Sequence, residues 1–181
     1  EKIDLLNDIS DEQIKKIRNI YYEKIDLFFS KNIQKNKIII DKLPLNIIEA
    51  GFIHRIFPES KFIFCLRHPC DSVLSCFMNR FKMNNAMTIF TNISDTISFY
   101  NQVMSLWKQY TSELPIKFKT IKYENLIENL EDAIKPLLNF LNLEWDNSML
   151  GFNQTALKRT KINTPSYNQV IKPLYTQAIG R

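Results

Sequence analysis

Apolar and polar positions along this chain follow two periods in turn. Ser10-Asp11-Glu12-Gln13 has the form of a capping box, with Ser10 able to accept from the Gln13 amide. Apolar residues then recur at Ile14, Ile17, Tyr21, Ile25 and Phe28, the spacing of one helix face. A polar stretch from Lys31 to Lys37 ends that helix. Ile38-Ile39-Ile40 follows and stops at Asp41-Lys42; a β-branched run without alternation predicts a strand covered on both faces. Leu45 to Phe57 reads as a helix closed by Pro58. Lys61-Phe62-Ile63-Phe64-Cys65-Leu66 predicts a second buried strand, which stops at Arg67-His68-Pro69, and a helix starts near Cys70-Asp71. Ser94 to Glu113 is a long amphipathic pattern, and Phe118-Lys119-Thr120-Ile121 is a third strand ending at Lys122-Tyr123-Glu124. Helical patterns continue through Leu143, and after Trp145 the chain turns loop-like.

Strands alternating with helices predict an α/β fold, a parallel sheet flanked by helices, within one domain over residues 1–181. In such sheets ligands bind beyond the carboxyl ends of the strands. Three residues of chemical interest stand where a predicted strand has just ended: Lys42, Arg67 and Tyr123.

Composition narrows the classes. The 181 residues are 45% hydrophobic and 24% charged, which suits a globular chain and excludes a disordered tail or a collagen-like repeat. No apolar run approaches the roughly 18 residues of a membrane span. The three glycines cannot spell GxxxxGK[ST] or GxGxxG, so neither phosphate loop lies in these residues. A net charge of +5 suits a polyanionic ligand such as a nucleotide, and equally a solvated lysine-rich surface. Cys65, Cys70 and Cys76 are odd in number and lack zinc spacing even with His54 and His68, which reads as buried thiols in a reducing compartment. The chain opens on Glu1 and stops at Ile179-Gly180-Arg181, which reads as a segment cut from something longer.

Arg67 leaves a strand, Pro69 turns the chain, and a helix carries Ser75 one to two turns on. A guanidinium grips phosphate at two points, and a hydroxyl and a helix N-terminus add donors to the same anion. Lys42 can neutralise charge on a leaving oxygen, and Tyr123 can stack on a purine. Each also fits an ordinary role: a surface arginine, a solvated lysine, a core aromatic. Glu124 reads as a helix cap, and Trp107 and Trp145 as core. The polar tail from Thr164 to Tyr175, with its path fixed by two prolines, has the length and composition of a loop that is either functional or disordered.

Taken together, Asp41-Lys42-Leu43-Pro44-Leu45-Asn46, Phe57-Pro58-Glu59-Ser60-Lys61-Phe62-Ile63, Leu66-Arg67-His68-Pro69 with Ser75, Tyr123-Glu124-Asn125-Leu126, Trp145 and the tail from Thr164-Pro165-Ser166 to Arg181 resemble the sulfotransferases. These enzymes use 3′-phosphoadenosine 5′-phosphosulfate (PAPS). The likeness is nearest to the tyrosylprotein sulfotransferases and their bacterial relatives, which are often fused to tetratricopeptide repeats, and it runs from about Ile38 onward. It implies the P-loop-like sulfotransferase fold. It implies that Arg67 and Ser75 hold the 3′-phosphate and that Tyr123 lies beside the adenine. Lys42 and Ser166 would meet charge on the transferred sulfuryl group. The stretch from Ser166 to Tyr175 would fold over the nucleotide, with Arg181 a basic contact to it.

The departures are also specific. The family's glycine-containing phosphosulfate loop and the tyrosylprotein enzymes' catalytic glutamate would fall upstream of residue 1. The histidine base of the cytosolic enzymes would fall at Pro44. A second arginine falls at Asn79, with Arg80 next door. The resemblance implies PAPS or its desulfated product PAP as partner, a hydroxyl-bearing acceptor and no metal, while basic residues scattered rather than clustered with aromatics argue against a nucleic-acid module. It also allows tetratricopeptide repeats upstream. The expected compartment is cytoplasmic, or the Golgi lumen for a eukaryotic tyrosylprotein enzyme. A P-loop kinase with Asp41 as its metal-binding aspartate, or a non-catalytic nucleotide-binding domain, is the alternative reading.

Overall fold

A computed structural model describes residues 2–29, 38–79 and 81–158. Its elements run α1 (Lys2–Asn7), α2 (Asp11–Phe28), α3 (Ala50–Ile56), β1 (Lys61–Leu66), α4 (Pro69–Met78), α5 (Ile93–Glu113), β2 (Lys117–Lys122), α6 (Tyr123–Glu128), α7 (Leu130–Leu141) and α8 (Phe152–Lys158). Short 3₁₀ turns occupy Pro44–Ile47, Met87–Thr91 and Asn147–Gly151. The described residues divide into two compact units, one drawn from residues 2–29, 38–60 and 103–117, the other from residues 61–79, 81–102 and 118–158.

The first unit is helical. The Ser10 hydroxyl accepts from the Gln13 amide at 3.3 Å while the Gln13 side chain accepts from the Ser10 amide at 2.8 Å, so the capping box forms reciprocally and starts α2. Ile14, Ala50, Ile56, Trp107, Tyr110 and Ile116 are its buried apolar residues. Arginines take up orphan carbonyls: Arg18 donates to Ile56 O at the end of α3, and Arg55 to Leu6 O near the end of α1 and to Ile9 O in the link to α2. The Tyr110 hydroxyl donates to Ile48 O at 3.0 Å.

Two expectations fail in this unit. Ile38–Ile40 is not a strand: it is irregular backbone, with Ile38 62% and Ile40 80% exposed. A strand exists only through ladder bonds to a neighbour, and no described residue pairs with this run. Leu45 to Phe57 is not one helix but the turn at Pro44–Ile47 followed by α3.

The second unit holds a two-stranded parallel sheet of β1 and β2, flanked by helices, so the α/β class stands, with two strands among the described residues where three were expected. Parallel partners need a crossover, and α4 and α5 lie between them in sequence. Along β1 the residues alternate, with Lys61, Ile63 and Cys65 exposed and Phe62, Phe64 and Leu66 half-buried. The strand is therefore covered on one face among the described residues, not on both. Asn92 starts α5 by accepting from the Ser94 and Asp95 amides. α7 begins at Asn129, which accepts from Asp132, and ends at Asn142, whose left-handed conformation (φ 59°) stops it two residues before the expected Leu143.

Other expectations also need correction. The region after Trp145 is helical to Lys158, through Asn147–Gly151 and α8. Trp145 is half-buried with its indole N–H on Asn147, whereas Trp107 is core. Cys65 and Cys70 are exposed and Cys76 half-buried, so the thiols are free but not all buried. Among the described residues no helix is long and apolar enough to cross a membrane.

Candidate functional site

Pairing β1 with β2 in parallel places their carboxyl ends side by side, roughly 4.8 Å apart in the ladder direction. Arg67 is the first residue past β1 and Tyr123 the first past β2. Their side chains meet: the guanidinium carbon lies 5.1 Å from the Tyr123 ring centroid, a cation–π contact. Arg67 Nη2 also stands 3.8 Å from Asp71 Oδ2, and the Asp71 side chain is 1% exposed against 23% for Arg67. The guanidinium is thus held from two sides with one part open to solvent.

The turn between them is braced. His68 adopts an extended ψ of 131°, as expected before proline, and Pro69 is the first residue of α4, where its missing N–H is no loss. The His68 amide donates to Glu124 Oε1 at 2.8 Å. This backbone donor, then Glu124's own amide, hold the Glu124 carboxyl below its usual range, with Arg67 adding to the effect and Asp71 opposing it. Glu124 therefore reaches across to the β1 exit as well as serving its own helix. Ser75 is exposed on α4 one turn after Asp71, on the same stripe of the helix. Burial pushes the nearby Cys76 thiol up, opposed by Arg67.

Of the residues singled out in the sequence, Arg67 and Tyr123 come together, and Ser75 lies on the helix that follows Arg67. Lys42 is exposed, belongs to the first unit, and follows no strand, so the strand-end argument that selected it falls away. The segment before it is nonetheless tied down: the Asp41 carboxylate accepts from Tyr21 OH at 3.3 Å and Asn46 Nδ2 at 3.4 Å. Ser166, Tyr175, Arg181, Arg80 and the Lys31–Lys37 stretch lie outside the described residues. Asp71 and the reach of Glu124 to His68 were missed. The four-residue spacing of Arg67 and Asp71 was a usable signal; the Glu124 contact needs the strand register. Among the described residues no three His, Cys, Asp or Glu side chains converge as a metal cage.

This site lies inside a match to a known family. The sulfotransferase family model matches residues 6–147, which takes in α2, upstream of where the motif resemblance begins, and stops short of Ser166. An uncharacterized protein of Aquifex aeolicus is 26% identical over 147 residues, 79% of this chain and 18% of that protein. Protein-tyrosine sulfotransferase 1 of Danio rerio is 25% identical over 147 residues, 79% of this chain and 41% of that protein. Protein-tyrosine sulfotransferase of Drosophila melanogaster is 22% identical over 156 residues, again 79% of this chain and 29% of that protein. The chain thus spans less than half the length of these relatives. A match over most of the chain, with the paired strand ends, Arg67 and Tyr123 all inside it, places the chain in the sulfotransferase family.

Proposed function

We propose that this chain carries the 3′-phosphate-binding part of a PAPS-dependent sulfotransferase, which moves a sulfuryl group to an acceptor hydroxyl. The Arg67–Tyr123 contact at the paired strand ends carries the reading. A guanidinium held on an aromatic face and backed by a buried carboxylate is fixed in direction, and its planar fork suits a phosphate dianion. The aromatic face beside it suits a purine. The donor set present fits an adenosine 3′,5′-bisphosphate, with Arg67 and Ser75 on the 3′-phosphate and Tyr123 beside the base.

PAPS supplies the activated sulfuryl group. Lys42 and Ser166 are assigned to charge that develops on the sulfuryl and bridging oxygens during in-line displacement, and Tyr175 and Arg181 to the covering loop. These assignments rest on the family's motifs. The names of the relatives make a peptide tyrosine hydroxyl the first acceptor to test, ahead of sugars and small metabolites.

The test is calorimetric titration of the full-length protein with PAP, adenosine 5′-monophosphate and magnesium-ATP, followed by transfer from labelled PAPS to a tyrosine peptide. PAP binding well ahead of the monophosphate, with label on the peptide, supports the reading. A preference for magnesium-ATP over PAP overturns it in favour of a P-loop kinase.

A further inference from the structure

The contact between Glu124 and His68 links the exits of the two strands, and the resemblance gives neither residue a role of its own. Arg67 belongs to β1's exit, and its direction is set by the backbone at Arg67 and His68. That backbone is a single extended step between a strand and a proline-initiated helix. Tyr123 belongs to β2's exit, one residue before Glu124. A carboxylate oxygen accepting the His68 amide at 2.8 Å therefore pins the residue after Arg67 to the residue after Tyr123. The 5.1 Å stacking of guanidinium on ring is the neighbouring pair in the same register.

The charge on Glu124 is the lesser part of its setting, since the attraction of Arg67 ranks behind the two amide donors. A carboxylate close to a phosphate site repels the ligand, and Asp71 already stands 3.8 Å from the Arg67 guanidinium. What Glu124 supplies is a long-armed acceptor for one amide. We propose that Glu124 is a positioning residue: by accepting the His68 N–H it fixes Arg67 over Tyr123 and so sets the affinity for the nucleotide's 3′-phosphate. This rests on the reading of Arg67 as the 3′-phosphate ligand.

Three variants separate acceptor from charge. Glu124→Gln keeps the arm and the acceptor oxygen but not the charge. Glu124→Asp keeps the charge but is one methylene too short to hold His68 at that distance. Glu124→Ala has neither. The readout is the ratio of PAP to adenosine 5′-monophosphate affinity in the full-length protein, which isolates the 3′-phosphate and is insensitive to a general loss of folded protein. The Gln variant should keep the wild-type ratio or exceed it, while the Asp and Ala variants should lower it at least fivefold. Arg67→Ala is measured alongside. If Arg67→Ala leaves the ratio at its wild-type value, the 3′-phosphate reading itself fails. If Arg67→Ala collapses the ratio but all three Glu124 variants keep it, or Asp keeps it and Gln loses it, the positioning role alone is overturned. Should the Ala variant not fold, the contrast of Gln with Asp decides the matter in the same way.

Discussion

The Arg67 guanidinium rests on the Tyr123 ring at 5.1 Å, although one residue leaves the first strand and the other the second. The contact exists because parallel pairing aligns the two carboxyl ends, and it restricts an otherwise flexible side chain. Replacing Arg67 by alanine should weaken PAP binding by more than about 2 kcal/mol, roughly thirtyfold, as for a lost charge-assisted bond. Binding of the analogue without the 3′-phosphate should fall far less. Arg67→Lys should recover only part of the loss, because an ammonium lacks the planar fork. Calorimetric titration of both ligands checks this, and equal losses for both would reject the assignment.

Lys42 makes a different prediction, one about chemistry. Its neighbours are fixed: Asp41 accepts from Tyr21 and Asn46, and Leu43 holds the extended conformation that a following proline imposes (φ −132°, ψ 125°). If Lys42 meets charge that appears only during transfer, Lys42→Met in the full-length protein should lower kcat by about 10²–10³. The PAP Kd should move only a few-fold. Single-turnover transfer and PAP titration on the same variant measure both, and a variant with wild-type turnover would make Lys42 an ordinary surface lysine.

Local signals in the sequence were read correctly where a few neighbouring residues decide the outcome. Ser10 and Gln13 start α2, the long apolar period gives α5, and Lys61–Leu66 and Lys117–Lys122 form the sheet. Ile38–Ile40 reads as a strand and is none, because three β-branched residues state a preference while a strand needs a partner that the run itself does not encode. The site divides along the same line. Arg67 and Tyr123 were legible because each follows a strand. Glu124 reads as a helix cap from its neighbours alone, because its contact with His68 depends on how two distant strands align.

His54 gives a pH dependence. Its Nδ1 is buried with no partner among the described residues, and burial pushes its pKa below the ordinary value, with Lys117 adding to this and Glu59 opposing it. The unfolded chain then binds the proton more readily than the fold does. Stability should be intact above about pH 6.5, the unfolded value, and fall as pH drops through the lowered folded value. His54→Gln should flatten that slope. Urea midpoints between pH 5 and 8 measure it, and parallel slopes for both proteins would remove His54 as the cause.

Gly51 sets helix propensity against packing. It sits near the start of α3, where alanine would ordinarily stabilise a helix by up to about 1 kcal/mol. A Cβ there would stand 2.7 Å from Tyr110 Cε1 and 3.0 Å from Leu6 Cδ1. Leu6 can give way, since it is only half-buried, but Tyr110 cannot easily do so. Its ring is 4% exposed and its hydroxyl is tethered to Ile48 O at 3.0 Å, so the ring is held at both ends. Overpacking of this kind costs about 1–3 kcal/mol, which exceeds the propensity gain. Gly51→Ala should therefore lower Tm by several degrees. In a Tyr110→Leu background, where the obstructing ring is gone, the same substitution should cost much less. That coupling is what distinguishes a clash from a backbone effect. Thermal melts of the four proteins in this cycle decide it: a Gly51→Ala protein more stable than wild type would show that helix propensity outweighs the Tyr110 contact.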